Sequence, residues 1–248
     1  MSQKTRQEQD SLGKIQVANS NLWGAQTQRS LNNFRIGNDI MPIEIIHALA
    51  IIKMSCAKTN QKQKLLSPKI ASAIIDSAKQ VYLGKYDEHF PLSVWQTGSG
   101  TQTNMNVNEV IANIANRKIS KKLGTNSPVH PNDHVNKSQS TNDSFPSAIN
   151  IASKLKILSD LLPALKGMEK VLKSQSQKWK TIIKIGRTHL QDATPLSLGQ
   201  EFSGYQAQIN SNIRRVEGSL TNLSYLAQGG TAVGTGLNTK RGFDRLVV

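Results

Sequence analysis

The 248-residue chain has one cysteine and no long apolar run. Cys56 alone cannot form an internal disulfide, and zinc sites built on several cysteines are excluded. We therefore expect a reducing compartment, the cytoplasm. No run approaches the roughly 18 apolar residues of a membrane-spanning helix, so no membrane partner is expected. Glycine-loop signatures of nucleotide sites are also missing, since Gly229-Gly230 and Gly234-x-Gly236 match none of them.

Acidic residues are scarce, because 16 Asp and Glu oppose 31 Lys and Arg and the net charge is +15. Such an excess is common among nucleic-acid-binding proteins. Here, however, basic residues never form runs longer than two, as at Arg117-Lys118. The densest stretch, residues 154–187, falls mostly between the apolar positions of a predicted helix, as on a solvated helix face. Aromatic residues make up only 5%, and within residues 154–187 the one aromatic residue, Trp179, is too few for a base-stacking surface. We expect no nucleic-acid partner.

Apolar residues at helical spacing dominate after an irregular N-terminal stretch with short strands, which extends to about Asn38. Ile45, Leu49, Ile52 and Cys56 predict a helix after Pro42. Ser67-Pro68 and Gly84 predict the start and the end of the next helix. A third helix is predicted from about Asn106 to just before Gly124.

Two longer apolar seams, over residues 151–172 and 198–223, predict bundle helices, with a kink at Pro163 in the first. The fold class predicted is mainly α. An N-terminal mixed helical domain, residues 1–140, is followed by long helices of a truncated central helical bundle, residues 141–248. Helices of this length suggest a bundle shared between subunits.

Residues 96–109 form the first of three polar segments between predicted helices. Small hydroxyl side chains beside glycines, just before a helix, leave backbone N–H groups free at the positive end of the helix dipole. Such an arrangement can bind an anion. A polar capping loop without a ligand is the alternative, and the residues alone favour it.

Residues 130–143 form the second polar segment, inside a stretch predicted as one long loop, residues 125–146. His130, Asp133 and His134 have a spacing that could suit a metal on a helix, but Pro131 argues against a regular helix there. We therefore expect no metal, and favour a hydrogen-bonding pocket for a polyol or carboxylate.

Residues 186–195 form the third polar segment. Histidine is the side chain best suited to exchange a proton near neutral pH, and His189 has Thr188 and Asp192 as neighbours. It could therefore act as an acid or base or orient a water molecule. The alternative is a surface histidine without a catalytic role, which is more common for a lone histidine.

Together these segments resemble the fumarase/aspartase superfamily, and class II fumarase in particular. The resemblance also takes in Trp23-Gly24-Ala25-Gln26-Thr27-Gln28-Arg29-Ser30 and residues 228–239, and it covers essentially the whole chain. Aspartases of the superfamily carry Gln in place of His189 and Gly in place of Ser138, which favours fumarase.

The resemblance implies reversible hydration of fumarate to (S)-malate in the tricarboxylic acid cycle, with no metal or organic cofactor. It implies a homotetramer whose active sites are each drawn from three subunits. His189 would be catalytic, holding and polarising the water. Substrate would contact Ser99, Gly100, Thr101, Ser140, Thr141, Asn142 and Thr188.

The resemblance also implies a second carboxylate site at His130, Pro131, Asn132 and Asp133, with Lys137 adding positive charge to the pocket. One family signature is absent, a Gly-Ser-Ser-x-Met-Pro-x-Lys-x-Asn loop that supplies the proton-abstracting serine. We therefore expect a truncated chain that is inactive alone. Its small-molecule partner would be a dicarboxylate, fumarate or malate. Its protein partners would be further copies of the chain or a complementary C-terminal fragment. Another superfamily lyase such as aspartase, or an inactive remnant serving as an interaction protein, remains an alternative.

Overall fold

The computed structural model describes residues 4–248, and they are mainly α-helical, as predicted. They divide into two units. The first takes the chain up to Ala152 and then Leu226–Val248, and the second is Ser153–Tyr225. The predicted domain boundary after residue 140 stays a prediction. Within residues 4–248 no helix combines the length and apolarity needed to cross a membrane.

The N-terminal stretch contains the predicted short strands and a helix that the sequence did not indicate. Strands β1 (Thr5–Asp10) and β2 (Gly13–Ala18) pair antiparallel, and α1 spans Ala25–Asn33. Helix α1 is too polar to show an apolar stripe. Its first turn is held from outside, because the buried Glu109 carboxylate accepts hydrogen bonds from backbone N–H groups there.

Three helices form the core of the first unit: α2 (Ile43–Lys62), α3 (Pro68–Tyr82) and α4 (Thr101–Ser120). The predicted apolar stripes are buried between them. Ser67 caps α3 as predicted, with its hydroxyl accepting from the Ile70 N–H at 3.4 Å. Helix α4 begins earlier than predicted, since its first turn is polar and carries no apolar period.

The loop predicted for residues 125–146 is wrong in two places. A wide helical turn occupies Pro131–Val135, and α5 (Thr141–Lys156) begins within the predicted loop. Ser140 caps α5, because its hydroxyl accepts from the Asn142 N–H and its own N–H donates to Asp143. Pro146 lies inside α5, and a proline there hides the helix from a reading of sequence.

The second unit contains the first predicted seam and its irregularity. A wide turn over Ile157–Leu161 separates α5 from α6 (Leu162–Lys178). Pro163 stands in the first turn of α6, so the predicted disturbance at this proline takes the form of a changed hydrogen-bonding pattern just before it.

A β-hairpin replaces the irregular polar segment expected at residues 186–195. Strands β3 (Ile183–Thr188) and β4 (Gln191–Ser197) pair antiparallel and lead into α7 (Leu198–Ser219), which packs against α6. A capping box between Ser197 and Gln200 starts α7. The second seam predicted a longer helix, to residue 223. A short α8 (Phe243–Val247) returns to the first unit and packs on α2.

Candidate active site

The first polar segment supplies the start of α4. Gly100 is the N-cap residue, in the left-handed conformation with φ 73°. Ser99 and Thr101 flank it, their hydroxyl oxygens lie 3.0 Å apart, and both residues are exposed. Two hydroxyls at the positive end of a 20-residue helix can donate to an anion.

The second polar segment lies directly against the first. A Cβ on Gly100 would lie 2.6 Å from ring atoms of Phe145, so the glycine lets α5 approach the start of α4. Asn104, in the first turn of α4, donates through its side-chain amide to the Thr141 hydroxyl at 3.0 Å. Thr141 is the first residue of α5. The N-terminal ends of two helices therefore meet at the predicted substrate residues.

A fully buried lysine holds this junction together. Lys53 of α2 is 0% exposed, and its ammonium donates to Asn104 Oδ1 at 2.7 Å, Asn136 Oδ1 at 2.9 Å and Gln139 Oε1 at 2.8 Å. Burial lowers the pKa of Lys53 from 10.5 to about 8. The side chain is therefore positively charged at neutral pH, behind the polar segments.

A buried carboxylate holds residues 228–231 against α5. Asp143 is 1% exposed and accepts from the Gly229 N–H at 3.0 Å, the Thr231 N–H at 2.9 Å and the Gln228 side-chain amide at 3.3 Å. Beside it, the Asn142 amide donates to the backbone oxygen of Ala232 at 2.8 Å. The glycine-rich segment that carried part of the resemblance thus closes one side of the site.

A cavity of about 520 Å³ opens between the second segment and the glycine-rich segment. Among its lining residues are Asn132, Asp133, Lys137, Ser140 and Asn238. Residues predicted for the substrate site and residues predicted for the second carboxylate site therefore share one opening, and Lys137 lies between them.

His130 caps the wide turn that follows it. Its Nδ1 accepts from the N–H groups of Asn132 at 3.2 Å and Asp133 at 3.1 Å. An acceptor Nδ1 leaves the hydrogen on Nε2, which stays able to donate to an anion. Pro131 is buried beneath the turn, whereas Asn132 and Asp133 are exposed.

A second cavity, of about 550 Å³, is lined in part by His130, Pro131 and Asn132. The described residues lining it include Glu8, Asp10 and Glu109 but no lysine or arginine. Burial raises the pKa of the Glu109 carboxyl, while hydrogen bonds from Thr27, Gln26 and Gly24 act against that rise. Arg6 and Arg29 pair with Glu8 and Asp10 at 2.8 and 2.9 Å, so the nearby positive charges are already taken up by lining carboxylates.

The third polar segment forms the tip of the β3–β4 hairpin in the second unit. Thr188 pairs with Gln191, and the two-residue loop between them is His189 and Leu190, with φ of 50° and 61°. Positive φ at both loop positions is the pattern of a type I′ turn. His189 is exposed, and Leu190 is 96% exposed.

A family model described as Lyase matches residues 13–248. The chain belongs to this lyase family. Fumarate hydratase class II 2 of Bradyrhizobium diazoefficiens is 58% identical to it over 242 residues, which cover 98% of this chain and 51% of that protein. Fumarate hydratase class II of Caulobacter vibrioides is 56% identical and is matched over 52% of its length.

The crystal structure of recombinant class II fumarase from Schistosoma mansoni superposes on the lyase chain with a TM-score of 0.95 at 47% identity. The match covers 98% of this chain and 51% of that one. The predicted resemblance to class II fumarase is confirmed. The chain spans about half the length of the curated relatives it matches.

The predicted site residues of the lyase chain divide between its two units. The first unit brings together Ser99, Gly100, Thr101, Ser140, Thr141 and Asn142, with His130, Pro131, Asn132, Asp133 and Lys137 close by in sequence. The second unit carries Thr188 and His189. The roles given to these residues remain predictions.

Sequence reasoning missed the residues that support the site from behind. Lys53 lies on the same face as Leu49 and Cys56, four residues after the first and three before the second. A lone charged residue on an otherwise apolar stripe was the available signal. Asp143 was noted only as one polar residue among many, because the chain segment it binds is distant in sequence.

Proposed function

We propose that this chain provides the substrate-carboxylate part of a fumarate hydratase, which adds water to fumarate reversibly to give (S)-malate. One observation carries the proposal: the starts of α4 and α5 are joined through the Asn104–Thr141 hydrogen bond, with the buried Lys53 ammonium behind them. Two positive helix ends and a cation form a site for a dicarboxylate. The class II fumarate hydratases among its relatives support this substrate.

The hydration of fumarate, and its reversal, require above all that negative charge on the substrate carboxylate be stabilised. Hydration puts the hydroxyl of water on one alkene carbon and a proton on the other. In the reverse direction that proton leaves a carbon next to a carboxylate, and negative charge develops on the carboxylate oxygens. Donors already aimed at those oxygens lower the barrier. Ser99, Thr101, Thr141 and Asn142 would supply such donors, and Ser140 already uses its hydroxyl to cap α5.

His189 would orient and polarise the water. Its position at an exposed hairpin tip suits delivery into the site of another subunit, and Thr188 on the same tip would contact the substrate. The proposed assembly is a cytoplasmic homo-oligomer, a tetramer by resemblance, working without a metal or organic cofactor. Exposed apolar residues on the second unit, among them Leu158, Leu161, Met168 and Val171, favour association.

Among these 248 residues the Gly-Ser-Ser-x-Met-Pro-x-Lys-x-Asn loop does not occur. Because the family uses that loop for proton abstraction, we expect the chain alone to leave fumarate absorbance unchanged. Co-expression with the remaining half of the Bradyrhizobium relative should restore turnover. In that pair we expect His189→Asn to reduce kcat about a hundredfold or more, and Lys58→Met, on an exposed part of α2, to have no effect.

Two results would contradict the proposal. Turnover of aspartate to fumarate and ammonia by the pair, without malate formation, would assign the chain to a different lyase. Fumarase activity of the chain alone at the rate of the pair would show that the absent loop is unnecessary. Light scattering provides a separate check, since a stable monodisperse monomer would contradict the proposed association.

A further inference from the structure

Lys53 makes an unusual set of contacts for a buried cation. It is fully buried on α2, and its three N–H bonds all go to neutral side-chain amides. In the described part of the chain, its hydrogen-bond partners include no carboxylate. Burying a charge without a directly paired opposite charge is costly, and an apolar residue would suit this face of α2 better. Stability alone therefore gives no reason for a lysine here.

The three amides use their other ends to hold the site segments. The Asn104 amide donates to Thr141 Oγ1 at 3.0 Å and to Asn136 Oδ1 at 3.2 Å. The Gln139 amide donates to the backbone oxygens of Val135 at 3.0 Å and Lys137 at 3.1 Å. The Asn136 amide donates to the backbone oxygen of Gln139 at 3.5 Å. Each amide therefore accepts from Lys53 through its oxygen and donates to a site segment through its nitrogen.

Two ionisable side chains, Cys56 and Asp143, lie close enough to Lys53 to act on its charge. Cys56, one turn along α2, is neutral because burial raises the pKa of its thiol. Asp143 of α5 is the nearby carboxylate that favours the protonated lysine, and it hydrogen-bonds the N–H groups of Ser140, Gly229 and Thr231. The Lys53 ammonium therefore makes its hydrogen bonds to neutral amides, and Asp143 acts on it only through its charge.

We propose that Lys53 is a positioning residue for the dicarboxylate site. Through Asn104, Asn136 and Gln139 it fixes the start of α5 against the start of α4, and it places a positive charge beside the first turn of α4. The ligand in this inference rests on the proposed function, whereas the positioning itself does not.

Hydrogen–deuterium exchange on the full chain tests the positioning without any substrate. Lys53→Met keeps the length of the side chain and removes its charge and its three N–H donors. Lys58→Met is the matched control, on the exposed face of the same helix. We expect peptides over residues 99–104 and 131–142 to lose about tenfold or more of their protection in Lys53→Met, with α3 and the β3–β4 hairpin unchanged.

Two exchange results would overturn the inference. Unchanged protection of residues 131–142 would show that Lys53 does not order them. Equal loss across α3 and residues 131–142 would make Lys53 a general core residue with no special relation to the site.

An NMR titration of the wild-type chain keeps the inference testable if Lys53→Met fails to fold. Lysine labelled at Cε should show one side chain that loses its proton near pH 8 instead of 10.5. The side-chain amide signals of Asn104, Asn136 and Gln139 should shift with the same midpoint. Amide signals that do not follow the midpoint of this lysine would overturn the inference.

Adding fumarate distinguishes the positioning role of Lys53 from the proposed binding of a dicarboxylate. A dianion near Lys53 favours the protonated form, so fumarate should move the midpoint upward. If the amide signals follow Lys53 and fumarate leaves the midpoint unchanged, the positioning role stands and dicarboxylate binding by this chain fails.

Discussion

Residues 136–143 and the hairpin tip at His189 and Leu190 carry predicted site residues of similar polarity, but the chain supports them differently. The first stretch is held by Lys53 of α2, which bonds Asn136 and Gln139, and by its own Asp143, which bonds Gly229 and Thr231. The hairpin tip is exposed and has left-handed backbone at both loop positions. The carboxylate-binding part is thus preorganised within the chain, whereas the proposed catalytic histidine is presented outward.

Removing Asp143 should break the preorganised part most strongly. Asp143→Ala leaves the N–H groups of Ser140, Gly229 and Thr231 without their acceptor in a buried place. We expect the free energy of unfolding to fall by about 3–5 kcal/mol, measured by urea unfolding. Asp76→Ala, on the exposed side of α3, is the control and should change it by less than about 0.5 kcal/mol. A loss from Asp143→Ala as small as the control's would mean that the carboxylate does not hold residues 228–231.

Lys53 should give the first unit a characteristic dependence on pH. The pKa of Lys53 is about 8 in the folded chain and 10.5 when unfolded, so between these values the unfolded chain holds the proton more tightly. Stability should therefore rise from pH 8 to pH 10.5, by on the order of 3 kcal/mol from this group. Urea unfolding of wild type and Lys53→Met across that range isolates the contribution. A difference between the two that stays constant with pH would contradict the lowered pKa.

Gly100 tests how closely the two helix starts must approach. Gly100→Ala places a methyl group 2.6 Å from Phe145 ring atoms at a residue with φ 73°. We expect a loss of about 2–3 kcal/mol in thermal unfolding. Gly98→Ala is the matched control, because a Cβ there meets no atom within 4 Å. Similar losses in both variants would show that the loop, and not the Phe145 contact, is sensitive.

The same contrast explains what the sequence could and could not predict. Apolar periodicity located α2 and α3, and Ser67-Pro68 located the start of α3. Polar composition found all three site segments, and their resemblance to a family assigned the roles. The start of α5 was missed because Pro146 interrupts its pattern. The hairpin was missed because Gly186 interrupts the short apolar alternation of β3 and Pro195 lies within β4.

The supporting network escaped prediction for a different reason. Asn104, Asn136 and Gln139 look like ordinary loop or capping residues until a lysine from another helix is placed among them. Hydrogen bonds between residues far apart in sequence leave no periodic trace. The positions that carried chemistry were therefore visible in the sequence, while the geometry that makes a site of them required the fold.

The smallest expected effect concerns the hairpin tip at His189 and Leu190, the exposed member of the two regions compared above. Leu190 is 96% exposed with φ 61°, so Leu190→Gly removes left-handed strain without losing a buried side chain. We expect the second unit to gain about 0.5–1 kcal/mol, measured by hydrogen exchange of β3 and β4. Leu12→Gly, at the 78% exposed tip of the β1–β2 hairpin and outside the left-handed region, should instead lose a similar amount.

The paired result decides what the exposed tip is for. A gain at Leu190 together with reduced turnover in the co-expressed pair would mean that the strained apolar tip is kept because another subunit receives it. A gain with full turnover would leave the strain without a function. No gain would show that the backbone at His189 and Leu190 is relaxed, and the contrast with residues 136–143 would then be one of exposure only.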